Sequence, residues 1–318
     1  MTLSDTFKGE ALALAALLIF SSNIVLTKVA SARLALNAGY LVAIVMNIAF
    51  SALLFALELG WRTHDLRWDW TGVLIYAAAG VFSTYLGRWF FFEAIARLGP
   101  AKASIFQVSS PIFTVVIAWI ALGQALDALA IAAIAVAMIG LMLVSVSPHE
   151  LARMASGRGA ASVEGKAVSP LRALVRSGLA VGLGSSAAYA VGNVLRGAGI
   201  QRWNEPILGA LLGAVAGLAF HLVLTPGNAE ALRLVRVGDR RGVLLFALSG
   251  TLTISAQMCV IAGMGYIPVA VVAMVTLCTP LLVFPMSYWV LRNQEGITRR
   301  TLLGGGVTLA GIVLLILR

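Results

Sequence analysis

The charged side chains Arg88 and Glu93 stand within a largely apolar segment between Ser83 and Pro111. A charge near the centre of a membrane helix costs about 2.5–3.5 kcal/mol, so such a residue usually faces a cavity or a partner. A guanidinium is a rigid donor that holds a carboxylate or phosphate through two hydrogen bonds. Arg88 is therefore a candidate for binding the acid group of a small molecule. A structural pair, or a side chain that extends to the lipid headgroups, is the alternative.

Glu93 is the carboxylate that the hydropathy pattern places inside a predicted span, which makes it a candidate for proton coupling. Arg97 follows four residues later, a spacing that favours a local ion pair on a helix. Pairing with Arg97 is the better-supported prediction. Lys28 and Arg196 lie at the ends of two predicted spans. For both residues two roles are open: flanking the mouth of the cavity, or extending to the lipid headgroups.

Uncharged polar side chains inside predicted spans form a second set of candidates. For the amides we expect contact with a substrate or cavity, whereas for the hydroxyls hydrogen bonding between helices is the alternative. The candidate substrate-binding residues besides Arg88 are Asn23, Tyr85, Gln107, Ser110, Tyr189, Asn193, Gln257 and Thr276. Pro111 and Pro280 interrupt helical hydrogen bonding and are candidate hinges. His221 belongs to a span that we expect to be peripheral, so a proton role is not predicted for it.

The composition predicts an integral membrane protein made of helices. The 318 residues are 60% hydrophobic and 11% charged, with a mean hydropathy of +0.95, whereas soluble domains are about 45–50% apolar and about 25% charged. Apolar runs of about 20 residues recur along the chain, long enough for helices that cross a bilayer. We expect the cell (inner) membrane. The net charge of +10 is spread over loops, which favours anionic lipid headgroups and not nucleic acid as the partner.

Ten spans are predicted, five on each side of a polar linker. Residues 1–146 form the first half, 147–176 a flexible linker rich in Ser, Gly and Arg, and 177–318 the second half. The spans cover about 10–31, 38–59, 71–96, 101–122, 126–146, 177–200, 206–224, 242–264, 268–291 and 300–317. The segment Thr225–Arg241 is predicted to be a loop.

The two halves align with each other at an offset of about 169 residues. Pro111 then matches Pro280 and Arg88 matches Gln257, while Asn37 of the second span matches Asn204 of the seventh. An odd number of helices in each half inverts one half relative to the other in the membrane. Inverted repeats of this kind enclose transport sites near the bilayer midplane and support alternating access.

Several motifs resemble the drug/metabolite transporter superfamily, in particular its paired EamA-type domains. The first span carries Ser21-Ser22-Asn23 before Lys28, and the fourth ends in Ser110-Pro111-Ile112-Phe113. The second half repeats the pattern at 266–270 and 279–282. Two positions depart from the family: Gln124 replaces an acidic residue in the first-half turn, and Asn47 stands near the place of a frequent arginine.

The resemblance implies ten helices around a central cavity lined by the first, third, fourth, sixth, eighth and ninth. It also implies transport of small metabolites, most directly export of amino acids. Carriage of nucleotide sugars or sugar phosphates, and flipping of lipid-linked carriers, are alternatives, and an intramembrane enzyme is a remote one. The expected partners are a small-molecule substrate and the bilayer, in a monomer or homodimer. No cofactor, metal or catalytic residue is predicted, because metal-ligand spacings and phosphate-binding loops are missing from the sequence.

The orientation in the membrane is open at this point. The basic residues of the linker and of segment 225–241 lie on one side and favour both termini outside the cell. The family resemblance implies both termini inside.

Overall fold

The part of the chain that the computed structural model describes is almost entirely helical. That part comprises residues 3–62, 66–99, 178–225, 227–267, 278–291 and 299–316, with isolated residues at 103, 105–106, 109–110, 113, 132, 135–136, 139–140, 143, 272 and 275–276. The α-helices are α1 Leu3–Ser31, α2 Leu36–Trp61, α3 Trp70–Gly80, α4 Arg88–Leu98, α5 Gly178–Arg202, α6 Pro206–Leu224, α7 Asn228–Val237, α8 Arg240–Tyr266, α9 Thr279–Val290 and α10 Arg299–Ile316. A π-helix, Val81–Gly87, joins α3 to α4.

Five helices among the described residues are long and apolar enough to cross a membrane. They are Asp5–Ser31, Leu36–Trp61, Trp70–Leu98, Pro206–Leu224 and Arg240–Tyr266. The predicted all-helical membrane fold is thus confirmed. Helix α5 has 25 residues, enough to cross as well, but its glycines, serines and Arg196 lower its hydropathy. The fourth and fifth predicted spans lie largely outside the described residues.

Segment 225–241 is not a loop, contrary to the prediction. Helix α7 occupies Asn228–Val237 and packs on α2 with Ala231 buried. Its exposed side carries Arg233 and Arg236 beside Leu232 and Val237. Ten residues of mixed polar and apolar sequence are too short for a span, so a hydropathy window misses this helix.

The first helix of each half packs against the third helix of the other half. Helix α1 contacts α8 along its length, and α5 contacts α3 and the π-helix. The second helices follow the same rule, because α2 packs on α8 and α6 packs on α3. Each half therefore completes the other.

Two glycines make this exchange of helices possible. A Cβ on Gly80 would overlap the backbone of Gly213, and a Cβ on Gly250 would overlap the backbone of Ala43. Gly80 and Gly250 are 170 positions apart, as are Ala43 and Gly213. The same close crossing thus occurs twice. The crossing gives an offset of 170 residues between the second and seventh spans. The predicted alignment placed Asn37 over Asn204, an offset of 167, and is therefore wrong by three residues.

Three ion pairs of the described chain join the halves: Arg62–Glu205 and two pairs that lie at opposite ends of α2. Arg33, just before α2, lies 3.3 Å from Asp239, and Asp69, beyond its C-terminus, lies 2.9 Å from Arg202. Asp69 caps the N-terminus of α3 and Asp239 caps that of α8, so these two pairs occupy equivalent repeat positions. A 26-residue helix is about 39 Å long. Equivalent contacts at its two ends are what inverted repeats require.

Candidate functional site

Arg88 is the first residue of α4 and lies fully inside the protein. Its side chain is 1% exposed, and its guanidinium sits 5.1 Å from the centre of the Phe92 ring. Nη2 of Arg88 donates a hydrogen bond of 3.0 Å to Oγ1 of Thr253 on α8. The guanidinium therefore points inward toward the second half and does not extend to the headgroups.

The Thr253 hydroxyl has no capacity left for a second bond from Arg88. It accepts from Nδ2 of Asn23 at 2.7 Å and from Arg88, and it donates to the Ser249 carbonyl at 2.8 Å. A hydroxyl has one proton and two lone pairs, so all three are used. Nε and Nη1 of Arg88 are buried without a hydrogen-bond partner among the described residues. Two donors of a buried cation are thus open to a further acceptor.

Arg196 is the second buried cation, 6% exposed, on α5. Nη1 donates to Oδ1 of Asn193 at 3.2 Å, and Nη2 donates to Oγ of Ser83 at 2.6 Å and to Oε1 of Gln257 at 3.0 Å. This placement overturns the alternative that Arg196 extends to the headgroups. Its acceptors are neutral, so its charge is not compensated by them.

The two guanidinium groups lie on one face of α8. Thr253 contacts Arg88 and Gln257 contacts Arg196, and residues four apart stand one above the other on a helix. The Tyr189 phenol is close enough to interact electrostatically with both cations. We call this group the arginine cluster; its members are Asn23, Ser83, Arg88, Tyr189, Asn193, Arg196, Thr253 and Gln257.

Acidic side chains of the described part of the chain do not neutralise the arginine cluster. The ion pairs found there link Lys8–Asp5, Arg33–Asp239, Arg62–Glu58, Arg62–Glu205, Arg97–Glu93, Arg202–Asp69 and Arg233–Glu230. Neither Arg88 nor Arg196 takes part in any of these pairs. The cluster carries two positive charges, while Asn23 Oδ1 adds a buried acceptor without a partner in the described chain.

The structure brings four other sequence-predicted site residues together with Arg88 or Arg196. These are Asn23, Tyr189, Asn193 and Gln257, whereas Thr253 and Ser83 were not predicted. A signal for Thr253 exists in the sequence, because the offset of 169 that matches Arg88 to Gln257 also matches Thr84 to Thr253. Nothing in the sequence distinguishes Ser83 from other helix serines.

The structure also describes four further residues of the predicted set, Tyr85, Ser110, Thr276 and Pro280. The Tyr85 hydroxyl is 3.3 Å from Oγ1 of Thr225, away from the arginine cluster. Ser110 and Thr276 are half-buried. Pro280 lies in the first turn of α9, where a missing N–H is tolerated, so it starts this helix and does not kink it. Gln107 and Pro111 lie outside the described residues.

Glu93 and Lys28 both take local structural partners. Nε of Arg97 donates to Oε1 of Glu93 at 2.7 Å, as the four-residue spacing predicts, and both side chains are partly exposed. Nζ of Lys28 lies 3.3 Å from the Ala96 carbonyl near the C-terminus of α4. A cation there complements the helix dipole. Neither residue contacts the arginine cluster.

The π-helix determines the position of Arg88 relative to α8. Between Gly80 and Arg88 there are eight steps along the chain, but between their counterparts Gly250 and Gln257 there are seven. The second half spans this interval as part of the α-helix α8, while the first half accommodates its additional residue in the wider turns of the π-helix. π-Helical turns inside α-helices occur frequently at functional sites.

His221 is not at a lipid-facing position, although its span was expected to be peripheral. It is 1% exposed, and three aromatic rings surround it. The ring centre of Tyr40 is 4.6 Å away, that of Trp89 6.0 Å and that of Tyr85 6.1 Å. Sequence periodicity does not reveal this environment, because the rings come from three other elements, α2, the π-helix and α4.

Comparison with known proteins agrees with this architecture. The EamA-like transporter family matches residues 7–146 and again residues 176–317. Among curated proteins, none matches the chain. Chains of solved structures match in 20 cases. One of them, described as "Crystal structure of protein", covers 100% of this chain and 98% of its own length at 17% identity, with a TM-score of 0.52. That likeness concerns the fold alone.

The family match covers most of the chain in two repeats, and the helices that it covers exchange partners across the halves. Members of this family are membrane transporters and not enzymes. The chain belongs to the EamA-like transporter family of the drug/metabolite transporter superfamily and is a multi-pass integral membrane protein.

Proposed function

We propose that this transporter exports amino acids or related small metabolites by alternating access, and that it binds their acid group at the arginine cluster. The observation that carries the proposal is the pair of buried guanidinium groups, Arg88 and Arg196, without a carboxylate partner in the described chain. Each charge costs about 2.5–3.5 kcal/mol at the centre of a bilayer. A bound anion offsets that cost, and an empty site does not.

The open donors of Arg88 fit a carboxylate. Its Nε and Nη1 are both without a partner in the described chain. They lie on different edges of the guanidinium, so each edge has an open donor, and hydrogen bonds from a guanidinium to a carboxylate are among the strong ones. The Asn23 amide meets Arg88 at the Thr253 hydroxyl, and its Oδ1 remains open as an acceptor. An α-amino acid presents a carboxylate and an ammonium group close together, which suits this arrangement of donors and acceptor.

The position of the cluster suits alternating access. Thr253 is the middle residue of α8, the helix Arg240–Tyr266, so the cluster lies near the midplane if α8 spans the bilayer. It joins α1 and α8 to the π-helix, α4 and α5, helices from both inverted halves. Rocking of one half against the other exposes such a site to each side in turn.

A sugar phosphate or nucleotide sugar is the second candidate substrate. The specific observation in its favour is the double positive charge of the cluster, which a phosphate monoester neutralises more fully than one carboxylate does. A lipid-linked phosphate has the same headgroup chemistry, so the flippase alternative makes the same prediction for the arginines. The substrates are separated by experiment.

Energy for transport is proposed to come from a gradient or from exchange, since the sequence carries no phosphate-binding loop for a nucleotide. Glu93 was the first candidate for proton coupling, but its pairing with Arg97 weakens that proposal. A Glu93→Gln variant that keeps full gradient-driven uptake removes Glu93 from the coupling mechanism.

The surroundings proposed for this transporter are the cell (inner) membrane and its lipids. A monomer or a homodimer is proposed, without a nucleic-acid partner or a cofactor. The exposed Trp61, Trp68 and Trp70 near the ends of α2 and α3 support a place at the membrane–water boundary, which tryptophan prefers.

A thermal-shift screen tests the proposal. The purified full chain is heated with alanine, glutamate, glucose 6-phosphate, a nucleotide sugar, a lipid-linked phosphate, or neutral glucose. We expect an anionic compound to stabilise the wild type but not Arg88→Ala, whereas glucose stabilises neither. Arg97→Gln is the matched control, an exposed arginine on the same helix. Equal stabilisation of Arg88→Ala and wild type by the anion would contradict the proposal.

A further inference from the structure

The proposed transport mechanism leaves unexplained why a histidine is buried among aromatic rings beside the π-helix. Histidine is the side chain whose ordinary pKa allows its charge to change near neutral pH. His221 lies near the C-terminal end of α6, four residues before Thr225, which ends the helix. Nδ1 of His221 is 3.1 Å from Oγ1 of Thr225, and that oxygen is 3.3 Å from the Tyr85 hydroxyl. The three groups form a chain that ends on the π-helix.

The hydrogen bonds among His221, Thr225 and Tyr85 have two possible donor–acceptor arrangements. With Nδ1 unprotonated, Tyr85 donates to Thr225 and Thr225 donates to His221. With Nδ1 protonated, His221 donates to Thr225 and Thr225 donates to Tyr85, because a hydroxyl both donates and accepts. Proton uptake at Nδ1 of His221 therefore reverses the polarity of the hydrogen bond between Thr225 and Tyr85.

The π-helix is held on its other side by Tyr40. The Tyr40 hydroxyl donates to the Thr84 carbonyl at 2.6 Å, and the Tyr40 ring lies 4.6 Å from that of His221. Aromatic faces attract a cation, so the rings of Tyr40, Tyr85 and Trp89 offer an imidazolium some of the stabilisation that burial removes. His221 thus contacts Thr225, which is hydrogen-bonded to Tyr85 of the π-helix, and Tyr40, which is hydrogen-bonded to Thr84 of the π-helix.

Of the described titratable side chains that face one another around His221, only His221 itself has an ordinary pKa near neutral pH. The titratable side chains that face it are Tyr40 from α2 and Tyr85 from the π-helix. No salt bridge to His221 occurs among the described residues. The charged residues on the helices packed against α6 have other positions or partners: Glu58 pairs with Arg62, Arg196 contacts Ser83 and Gln257, Arg202 pairs with Asp69, and Arg240 and Arg241 are exposed. On α4, which carries Trp89, Arg88 contacts Thr253 and Glu93 pairs with Arg97.

We infer that His221 is a proton-binding site linked through Thr225 and Tyr85 to the π-helix that carries Arg88 into the arginine cluster. Tyr85 precedes Arg88 by three residues, and the backbone N–H of Arg88 donates to the Ser83 and Tyr85 carbonyls at the end of the π-helix. A change in the hydrogen bond between Tyr85 and Thr225 therefore acts on the backbone segment that positions Arg88. Its use for coupling protons to transport rests on the proposed function, whereas the proton-binding site itself does not.

Two measurements on the full chain in lipid nanodiscs, without any substrate, test the inference. In the first, the imidazole signals of ¹⁵N-histidine-labelled protein are followed between about pH 5 and pH 8, with His221→Gln used to assign the signal. In the second, amide hydrogen exchange of residues 81–88 is compared at the two ends of that range after correction for intrinsic rates.

We expect His221 to titrate and the protection of residues 81–88 to change by about tenfold with it. Thr225→Val, which keeps the histidine but cuts the chain, should leave the titration and abolish the change in protection. The inference is overturned if His221 does not titrate in this range. It is equally overturned if the protection is insensitive to pH, or changes alike in wild type and Thr225→Val. If His221→Gln does not fold, Thr225→Val alone decides the link.

Discussion

Arg196 donates a hydrogen bond of 3.0 Å to Gln257, the residue that occupies the repeat position of Arg88. The two halves have the same helix exchange but not the same chemistry at this position. The first half supplies a guanidinium and the second half an amide that accepts from the guanidinium of another helix. Because the counterpart of Arg88 is the amide Gln257, α8 contacts both cations without adding a third positive charge.

Gln257→Ala tests this role of the amide. The substitution removes one acceptor of a buried guanidinium, and hydrogen bonds to charged groups contribute about 1.5–3 kcal/mol. We expect Arg196 to move and the affinity for the anionic substrate to fall about tenfold, measured by titration of the purified protein.

Gln201→Ala is the matched control, since Gln201 is exposed near the end of α5. Unchanged affinity in Gln257→Ala, or an equal loss in both variants, would show that Gln257 does not position Arg196.

The glycine crossing predicts a strong size limit at Gly80. A Cβ there would overlap the Gly213 carbonyl, so Gly80→Val must separate α3 from α6. Overpacking of this kind costs about 1–3 kcal/mol, and we expect a lower thermal midpoint for the variant.

Gly306→Ala on α10 is the control, because a Cβ there meets no atom within 4 Å. This change should be neutral or stabilising by up to about 1 kcal/mol, since alanine is the better helix former. A Gly80→Val protein as stable as wild type would disprove the close crossing.

Asp239 predicts a pH dependence of stability at one end of α2. The backbone N–H of Arg241 has the largest effect on the pKa of Asp239 and lowers it. Burial opposes this, but the Arg33 side chain also lowers the pKa, so the net result is a value below the ordinary one. Because the folded pKa is lower than the unfolded one, about 3.9, the ionised carboxylate stabilises the fold above that value. The contribution is lost as the pH falls through the folded pKa.

Asp239→Asn keeps a capping side chain but removes the charge. Thermal unfolding of both proteins should therefore show wild type as the more stable near neutral pH, with the difference vanishing in strong acid. A difference that persists unchanged at low pH would assign it to something other than the charge of Asp239.

The sequence predicts the helical elements well and the site in part. The helices α2, α3 to α4, α6 and α8 agree with predicted spans within a few residues, because long apolar runs determine them. Arg88 is recognisable from its type alone, since an arginine in an apolar run must have a reason to be there.

Other features depend on contacts that sequence periodicity does not contain. Arg196 stands near the end of its span, and its burial follows from the exchange of α5 onto α3. Thr253 matters because three groups converge on its hydroxyl. The π-helix follows from one extra residue between Gly80 and Arg88, which becomes visible once the glycine crossings fix the repeat register.

The arginine cluster is tested most directly by substrate exchange in proteoliposomes with the anion that the thermal-shift screen selects. Arg88→Lys keeps the charge but loses the forked pair of donors, and Arg97→Gln is the control. We predict that Arg88→Lys raises the KM for exchange at least about tenfold while Arg97→Gln behaves as wild type. An Arg88→Lys transporter with wild-type KM would contradict the account and return Arg88 to a structural role.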